Sequence, residues 1–270
     1  MTETVAPGRP AGNSAPVTLL TEAPLVVGTV APAGLAALAA AAPDARVADV
    51  IEARIDLSMG DADPVAPPPA PPGAAALRDI FASCRKLEET GTPVLATIRL
   101  VADGGRWNED APRLPLFEAA LADGRCTWID VEVESAIAAQ VAESVRRQGR
   151  RLVVSHHDFS GTPSPDELDA IVTRALSLRP DVIKLATRVD DLEGHDRLLE
   201  LLRRHRGEAL AVIGMGPIGR PLRSYLPAVG SRLTYGFLDA PAAPGQVHVR
   251  ELVARLSADC PAYAARREKR

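Results

Sequence analysis

From residue 25 onward, short apolar runs alternate with longer amphipathic stretches, and the alternation continues to the end of the chain. Runs of the first kind are typical of buried parallel strands, and the stretches between them have the periodicity of helices that cover a sheet. The pattern predicts eight strands, at Leu25–Val30, Val47–Asp56, Val94–Leu100, Thr127–Val133, Leu152–His157, Val182–Thr187, Ala209–Met215 and Leu233–Leu238. Helices are predicted to begin near Ala33, Ala74, Leu114, Ser135, Pro165, Asp190 and Gly219, with a last helix from Val247 to about Ser257.

Eight consecutive βα units fit a closed (β/α)8 barrel, the TIM barrel of the α/β class, better than an open sheet. We predict a single domain over residues 17–260, with Val17–Leu20 as a short strand or hairpin that caps the barrel floor. Residues 1–16 have the composition of a disordered extension, and residues 261–270 are predicted to be a basic C-terminal tail. The Pro-rich stretch 61–73 is predicted to be an exposed loop, because the alternation resumes on both sides of it.

Ionisable residues share one face of five consecutive strands, since side chains alternate between the two faces of a strand. The predicted inward set is Glu52, Arg54 and Asp56, then Leu95, Thr97 and Arg99, then Asp130, Glu132 and Glu134, then Val153, Ser155 and His157, and finally Val182, Lys184 and Ala186. Any one of these charges could be an ion pair at a strand end. Together they would be costly inside a barrel unless they pair with one another and with a polar ligand, so they predict an active site at the C-terminal mouth.

Lys184 is one of only three lysines among 31 basic residues, and it lies within an apolar strand, whereas Lys86 and Lys269 have charged neighbours. Burial lowers the pKa of a lysine, and the neutral amine condenses with a carbonyl to form an imine. A lysine that extends from the strand end into solvent is the alternative. His157 has the inward parity and is the candidate general acid/base, whereas the adjacent His156 faces the other way, which excludes a metal shared by the two.

Composition excludes several classes of function. A net charge of −4 and a pI near 5.8 do not indicate the basic surface that binds nucleic acid. No apolar run is long enough to span a membrane. The three cysteines are odd in number and share no close spacing, which indicates neither a disulfide framework nor a zinc site. A soluble cytoplasmic protein is therefore expected.

The segment Gly214-Met-Gly216-Pro-Ile-Gly219 has the Gly-x-Gly-x-x-Gly spacing of a dinucleotide-binding turn, and Asp239 follows 20 residues later. The residues after this motif are too few to complete a doubly wound domain. The six βα units before it already form a continuous series, and the motif belongs to the seventh unit of that series. We therefore predict a tight turn between strand and helix rather than a nicotinamide-dependent oxidoreductase.

Several motifs, in order and in spacing, resemble the type I 3-dehydroquinate dehydratases of the shikimate pathway. They are Glu52-Ala-Arg54-Ile-Asp56, Thr97-Ile-Arg99, Asp130-Val-Glu132, Ser155-His-His157-Asp158-Phe159, Asp181-Val-Ile-Lys184, Met215-Gly-Pro-Ile-Gly219 with Arg223, Gly230-Ser231 with Thr234-Tyr235, and Ala243-Pro-Gly-Gln246. The resemblance runs from about Leu25 to the end of the chain, and it implies a TIM-barrel hydro-lyase of chorismate and aromatic amino acid biosynthesis.

The resemblance implies a role for each matching residue. Lys184 would form a Schiff base with the ring ketone of 3-dehydroquinate. His157 would remove a proton from the carbon next to the imine and then protonate the departing hydroxyl, and hydrolysis would release 3-dehydroshikimate. Glu52, Arg54 and Arg99 would hold the ring hydroxyls, Arg223 would clamp the carboxylate, and Gln246 would belong to a lid. Neither a metal nor a nucleotide cofactor is implied, and the sequence leaves room for a homodimer.

This chain departs from the family pattern at three positions. Asp103 stands where the family commonly has a glutamate that orients the catalytic histidine, and Ala242 and Leu222 stand where serines are common. The departures leave open a modified substrate, such as an amino analogue of dehydroquinate. Another Schiff-base barrel, an aldolase or transaldolase, is the second enzymatic interpretation, and a barrel that only senses a ligand is the non-enzymatic one.

Overall fold

The computed structural model describes residues 23–41, 47–59, 72–241 and 245–269, and within them eight parallel strands alternate with helices. The strands are β1 Leu25–Val30, β2 Val50–Arg54, β3 Val94–Thr97, β4 Trp128–Glu132, β5 Arg151–Asp158, β6 Val182–Arg188, β7 Leu210–Met215 and β8 Leu233–Phe237. The helices are α1 Pro32–Ala40, α2 Ala74–Glu89, α3 Leu114–Ala122, α4 Ala138–Arg147, α5 Pro165–Ser177, α6 Leu192–Arg204, α7 Gly216–Gly219, α8 Leu222–Ala228, α9 Val249–Asp259 and α10 Pro261–Glu268. All eight predicted strands are confirmed.

The strands pair in the order β7-β6-β5-β4-β3-β2-β1-β8, and the sheet curls so that β8 returns to β7. At this seam the Arg232 amide donates to the Leu210 carbonyl at 2.7 Å, and the Ser231 hydroxyl accepts from the Val212 amide at 2.9 Å. The predicted (β/α)8 barrel is confirmed. Because active sites of such barrels lie at the carboxyl ends of the strands, the fold places one end of every strand around a common mouth.

Two apolar layers follow from the alternation of side chains. Outward residues such as Ile51, Val131 and Leu185 pack beneath the helices in the larger layer. Inward residues such as Val27, Trp128 and Val182 fill the barrel interior. Nearer the mouth, inward polar residues such as Glu52 and Lys184 stand beside apolar ones such as Ile213, so the cavity lies above an apolar layer and has a mixed lining.

The structure corrects the ends of two predicted elements. Strand β2 stops at Arg54 and continues as a 3-10 helix over Ile55–Met59, in which Asp56 stays fully buried and pairs with Arg54. Strand β4 ends at Glu132, so Glu134 does not point into the barrel as predicted. Its side chain is 55% exposed and pairs with Arg174.

Residues 261–268, predicted to belong to a basic tail, form helix α10, whose Tyr263 is fully buried. The predicted extension 1–16 and capping strand 17–20 lie outside the described residues, as do residues 61–71 of the Pro-rich loop. None of the helices in the described part combines the length and apolar character that a membrane crossing requires.

The Gly214–Gly219 segment forms the tight turn that its glycines predicted. A Cβ atom on Gly219 would lie 2.4 Å from the carbonyl carbon of Gly214, and Gly216 has a φ of +79°. A side chain at Gly219 would clash with the backbone, and the left-handed φ at Gly216 favours glycine. The turn leads from β7 into α7 and then α8, which carries Arg223 to the mouth of the barrel.

Candidate active site

A cavity of about 150 Å³ opens at the C-terminal mouth of the barrel. It is lined by all eight residues that the sequence singled out: Glu52, Arg54, Arg99, Asp103, His157, Lys184, Arg223 and Gln246. They come from β2, β5 and β6, from the segment after β3 that contains a 3-10 helix over Val101–Asp103, from α8, and from the loop after β8. The structure therefore brings the predicted residues together, while their individual roles stay predictions.

Lys184 occupies the middle of β6 and is 5% exposed. Its Nζ lies 3.1 Å from Asp130 Oδ2 and 4.3 Å from the centre of the Tyr235 ring. Burial lowers the pKa of this amine, and the nearby Arg99 adds to that effect, although Asp130 opposes it. An amine with a lowered pKa is more readily available as a neutral nucleophile.

His157, at the end of β5, has a side chain that is 8% exposed, and its Nδ1 lies 3.2 Å from Asp103 Oδ1. Burial, together with the positive charges of Arg99 and Lys184, holds the pKa of the imidazole well below its usual range. His157 is thus neutral near pH 7 and able to accept a proton. Burial and the charge of Glu132 raise the pKa of Asp103 to about 6.

A hydrogen-bonded network of Arg99, Asp130 and Ser155 lies beside Lys184. Arg99 donates from Nη2 to Asp130 Oδ2 at 2.8 Å and from Nη1 to the Ser155 hydroxyl at 3.0 Å. Ser155 in turn donates to Asp130 Oδ1 at 2.6 Å. Although burial raises the pKa of Asp130, the charges of Arg99 and Lys184 outweigh it and hold that pKa far below its usual value. Asp130 therefore stays ionised, with both oxygens engaged.

On the opposite wall, Glu52 accepts hydrogen bonds from the hydroxyls of Thr29 at 2.7 Å and Thr97 at 2.9 Å. Arg54 makes a bidentate pair with Asp56, at 2.9 and 2.7 Å. These contacts lock a carboxylate and a guanidinium at the cavity wall, where each retains further hydrogen-bonding capacity for a hydroxylated ligand.

Arg223, on α8, is 3% exposed, and its Nη1 donates to the Tyr235 carbonyl at 3.1 Å. Its Nε finds no hydrogen-bond partner among the described residues, and burial, with no neighbouring carboxylate, accounts for its electrostatics there. Burial lowers its pKa to about 10, so the group remains a cation near pH 7. A buried, uncompensated guanidinium at a cavity is suited to bind an anionic ligand.

The neighbouring arginines do not line this cavity. Arg220 is exposed and lies 3.8 Å from a carboxylate oxygen of Glu251, and Arg232 is at the far end of β8. Leu222, where a serine is common in the family that the sequence resembles, is buried in the outer core. Ala242 lies outside the described residues, and Gln246 is half-buried at the cavity rim.

Two further residues received no role from the sequence. Tyr235 was named only within a family motif, although its inward parity on β8 also predicts that it faces the cavity, which it lines. Arg113 does not line the cavity and gave no signal in the sequence, because it precedes a helix and reaches the end of β4 through its long side chain. It is fully buried and donates to both carboxylate oxygens of Glu132, at 3.0 and 2.8 Å. In the described residues, no three His, Cys, Asp or Glu side chains gather as a metal site would require.

The comparisons with known proteins converge on one family. The type I 3-dehydroquinase family model matches residues 26–259. The 3-dehydroquinate dehydratase of Methanosarcina barkeri is 34% identical over 218 residues, covering 76% of this chain and 83% of that protein. The enzyme of that name from Thermodesulfovibrio yellowstonii is 31% identical over 206 residues, with the same coverage of both chains.

Solved structures agree with the sequence relatives. The 3-dehydroquinate dehydratase from Geobacillus kaustophilus has a TM-score of 0.72 at 25% identity, covering 87% of this chain and 90% of that one. The one from Aquifex aeolicus has a TM-score of 0.71 at 24% identity and covers 98% of its chain and 87% of this one, which shows the shared fold. Because the family match runs from the first strand of the barrel through helix α9 and spans every cavity residue, the chain belongs to the type I 3-dehydroquinase family.

Proposed function

We propose that this protein is a type I 3-dehydroquinate dehydratase, a hydro-lyase that converts 3-dehydroquinate to 3-dehydroshikimate in the shikimate pathway. The observation that carries the proposal is the buried amine of Lys184, in one cavity with the neutral His157 and the uncompensated Arg223. An amine, a base and an anion site are what a carboxylated ketone needs for imine-based elimination.

The reaction begins when the neutral amine of Lys184 adds to the ring ketone. The adduct loses water after taking up a proton, which leaves an iminium between Nζ and the substrate carbon. Asp130, 3.1 Å from Nζ, stays ionised and offsets the positive charge. The iminium then serves as an electron sink for the carbon next to it.

His157 removes a proton from that neighbouring carbon, and the electron pair is taken up as an enamine. The enamine returns its electrons, the tertiary hydroxyl leaves as water with the proton from His157, and a conjugated iminium results. Addition of water to this iminium releases 3-dehydroshikimate and regenerates the amine. Asp103 orients the imidazole through Nδ1, so that the proton is moved at the other ring nitrogen.

The remaining cavity residues bind the substrate. Arg223 clamps the carboxylate, Glu52 and Arg54 hold ring hydroxyls together with Arg99, and Gln246 closes over the ligand as part of a lid. The chemistry requires neither a metal nor a nucleotide cofactor. We place the enzyme in the cytoplasm, with no nucleic-acid or membrane partner, and a homodimer stays a prediction that sedimentation equilibrium would test.

Two measurements test the proposal. Addition of 3-dehydroquinate should produce the ultraviolet absorbance of a conjugated enone, which an aldolase or a ligand sensor would not produce. Borohydride with substrate or product should add a ligand-sized mass to Lys184, because reduction converts the imine to a stable amine. A mass on Lys86 or Lys269 instead, or turnover without any adduct, would contradict the imine mechanism.

Substitution of His157 separates imine formation from proton transfer. His157→Ala should lose turnover by at least about a hundredfold, which is typical of a lost general base, while Lys184 still forms the trapped adduct. His156→Ala is the matched control, because that side chain faces away from the cavity. The assignment would be wrong if His156→Ala lost activity and His157→Ala kept it.

A further inference from the structure

We infer that Tyr235 is a further catalytic residue, whose aromatic face supports the nitrogen of Lys184 both as ammonium and as iminium. The inference rests on the proposed imine at Lys184 and adds a role for a side chain that the mechanism above does not use. The ring, rather than the phenol hydroxyl, is the functional part of this residue.

The geometry of the ring and the amine carries the inference. Tyr235 is 3% exposed and lies on β8, while Lys184 lies on β6, so the ring reaches the amine across the barrel interior. Nζ lies 4.3 Å from the ring centre, within the range in which a cation is attracted to the face of an aromatic ring. Asp130 approaches the same nitrogen at 3.1 Å. The amine therefore has a carboxylate and an aromatic face as its two electron-rich neighbours.

The position of the ring is held by the backbone rather than by the hydroxyl. Tyr235 pairs with Val27 of β1, and its carbonyl accepts the hydrogen bond from Arg223 at 3.1 Å. Its hydroxyl has no hydrogen-bond partner among the described residues. Burial, followed by the charges of Glu52 and Asp130, raises its pKa well above the usual value, so the ring is a neutral phenol. A neutral ring with an unused hydroxyl acts on Lys184 only through its face.

The chemistry gives this contact a function. Imine formation converts an amine, a ketone and a proton into an iminium and water, and the positive charge then stays on the lysine nitrogen. An aromatic face attracts this charge, and it also offers a flat wall against which the planar iminium can lie. The enamine nitrogen is neutral, so the electrostatic attraction weakens when the enamine forms and returns when the conjugated iminium forms.

Other charged groups face the same amine and also affect the pKa of Lys184. Asp130 on β4 and Glu52 on β2 favour the ammonium, whereas Arg99 after β3 and His157 on β5, when it is protonated, disfavour it. The ring opposes the cost of burial. Its removal should therefore lower the pKa of Lys184 and, above that pKa, reduce the fraction of enzyme held as imine.

The test replaces Tyr235 by Phe and then by phenylalanines with one, two and three ring fluorines. Fluorine withdraws charge from the ring face with little change of shape, so a cation contact weakens stepwise. The rate of borohydride-trapped adduct formation on Lys184 is measured against pH. The acid limb of this pH–rate profile reports the pKa of Lys184. It should move stepwise to lower pH, by up to about one unit, as the cation contact is lost. At a pH above the limb, the equilibrium adduct with product should fall roughly three- to tenfold.

Two variants complete the series. Tyr235→Leu keeps an apolar residue and removes the ring, so it should equal or exceed the effect of three fluorines. Trp128→Leu removes an aromatic ring from the same inward apolar cluster but not from the cavity, and it should leave the acid limb in place. If Tyr235→Leu fails to fold, the fluorinated series still decides, because it preserves the shape of the ring.

The outcomes separate this inference from the proposed function. Absence of an adduct in the wild-type protein would contradict the imine itself. A wild-type adduct with a flat fluorine series would overturn only the role of the ring face. A large loss already in Tyr235→Phe would overturn it as well, because the hydroxyl would then be the functional group.

Discussion

Asp103 is a residue whose ionisation works against the fold. Its pKa is raised to about 6, so the carboxyl group of Asp103 binds a proton more tightly in the folded protein than in the unfolded chain. The stability of the fold therefore falls as pH rises through about 4 to 6, and the full cost is present above pH 6. The ionised carboxylate is nevertheless the stronger acceptor for a hydrogen bond from His157 Nδ1, which lies 3.2 Å away.

Asp103→Asn should therefore raise the free energy of unfolding by on the order of 2 kcal/mol above pH 6, and by little below pH 4. Urea titrations at pH 4 and pH 8 measure both values. The same variant should lower kcat, since an amide orients the imidazole less well. Asp259→Asn, at an exposed site on α9, is the matched control and should change neither property. Equal stabilisation of Asp103→Asn at both pH values would contradict the argument.

Arg223 contributes through the shape of its side chain as well as through its charge. Arg223→Lys keeps the charge but loses the planar bidentate group, so we expect kcat/KM to fall by about ten- to a hundredfold with the fold intact. Arg220→Ala is the matched control, because that arginine is exposed and pairs with Glu251. Steady-state kinetics on both variants decide the matter: a loss confined to Arg220→Ala would reject the clamp.

At the scale of elements, a buried guanidinium joins β4 to the segment that precedes α3. Arg113 donates to the Ile98 carbonyl at 2.6 Å and to both oxygens of Glu132, which also pairs with Arg99 at 3.7 Å. Arg113→Met would leave the carboxylate of Glu132 buried with weaker compensation, so we expect a loss of about 3 kcal/mol in unfolding free energy.

Chemical denaturation measures this loss, and Arg146→Met, in an exposed pair with Glu143, should change stability by less than about 0.5 kcal/mol. Adding Glu132→Gln to Arg113→Met should recover part of the stability, because the uncompensated charge is then gone. If Glu132→Gln lowered the unfolding free energy as much in the Arg113→Met background as in the wild-type protein, the two side chains would not be coupled.

The same elements show what the sequence could predict. Strand parity placed Glu52, Asp130 and Lys184 inside the barrel, because alternation is a local property of an extended chain. It failed at Glu134, because the alternation continues in the sequence after the strand has ended. Arg113 could not be found by parity at all, since its position depends on how a long side chain from the segment before α3 reaches Ile98 and Glu132.

At the scale of the whole molecule, the succession of apolar runs predicted the barrel, because eight βα units have few ways to bury all their apolar faces. The family resemblance added the residue roles. Contacts across the barrel, such as the ring of Tyr235 beside Lys184, depend on strand curvature and register, which one sequence does not encode locally. The pKa of Asp103 likewise follows from burial and from the charge of Glu132, which strand packing brings near it.

Helix α10 shows how a segment distant from the site supports the whole barrel. Arg266 lies 2.5 Å from a carboxylate oxygen of the fully buried Asp49, which also accepts from the Val26 amide at 2.7 Å. Arg267 donates to the Val47 carbonyl at 2.9 Å, and Tyr263 is buried in the outer core. The helix therefore compensates a charge at the amino ends of β1 and β2, opposite the mouth that carries the site.

Removal of residues 261–270 would expose apolar surface and leave Asp49 buried without its guanidinium partners, so we expect a loss of about 3 to 5 kcal/mol in unfolding free energy. Asp49→Asn in the truncated chain should recover part of this loss. The cavity lies at the other end of the barrel, so kcat and KM of the truncated enzyme at low temperature should stay close to those of the full chain. Thermal unfolding and kinetics on the same samples test both statements, and a truncated chain as stable as the full one would show that α10 does not support the barrel.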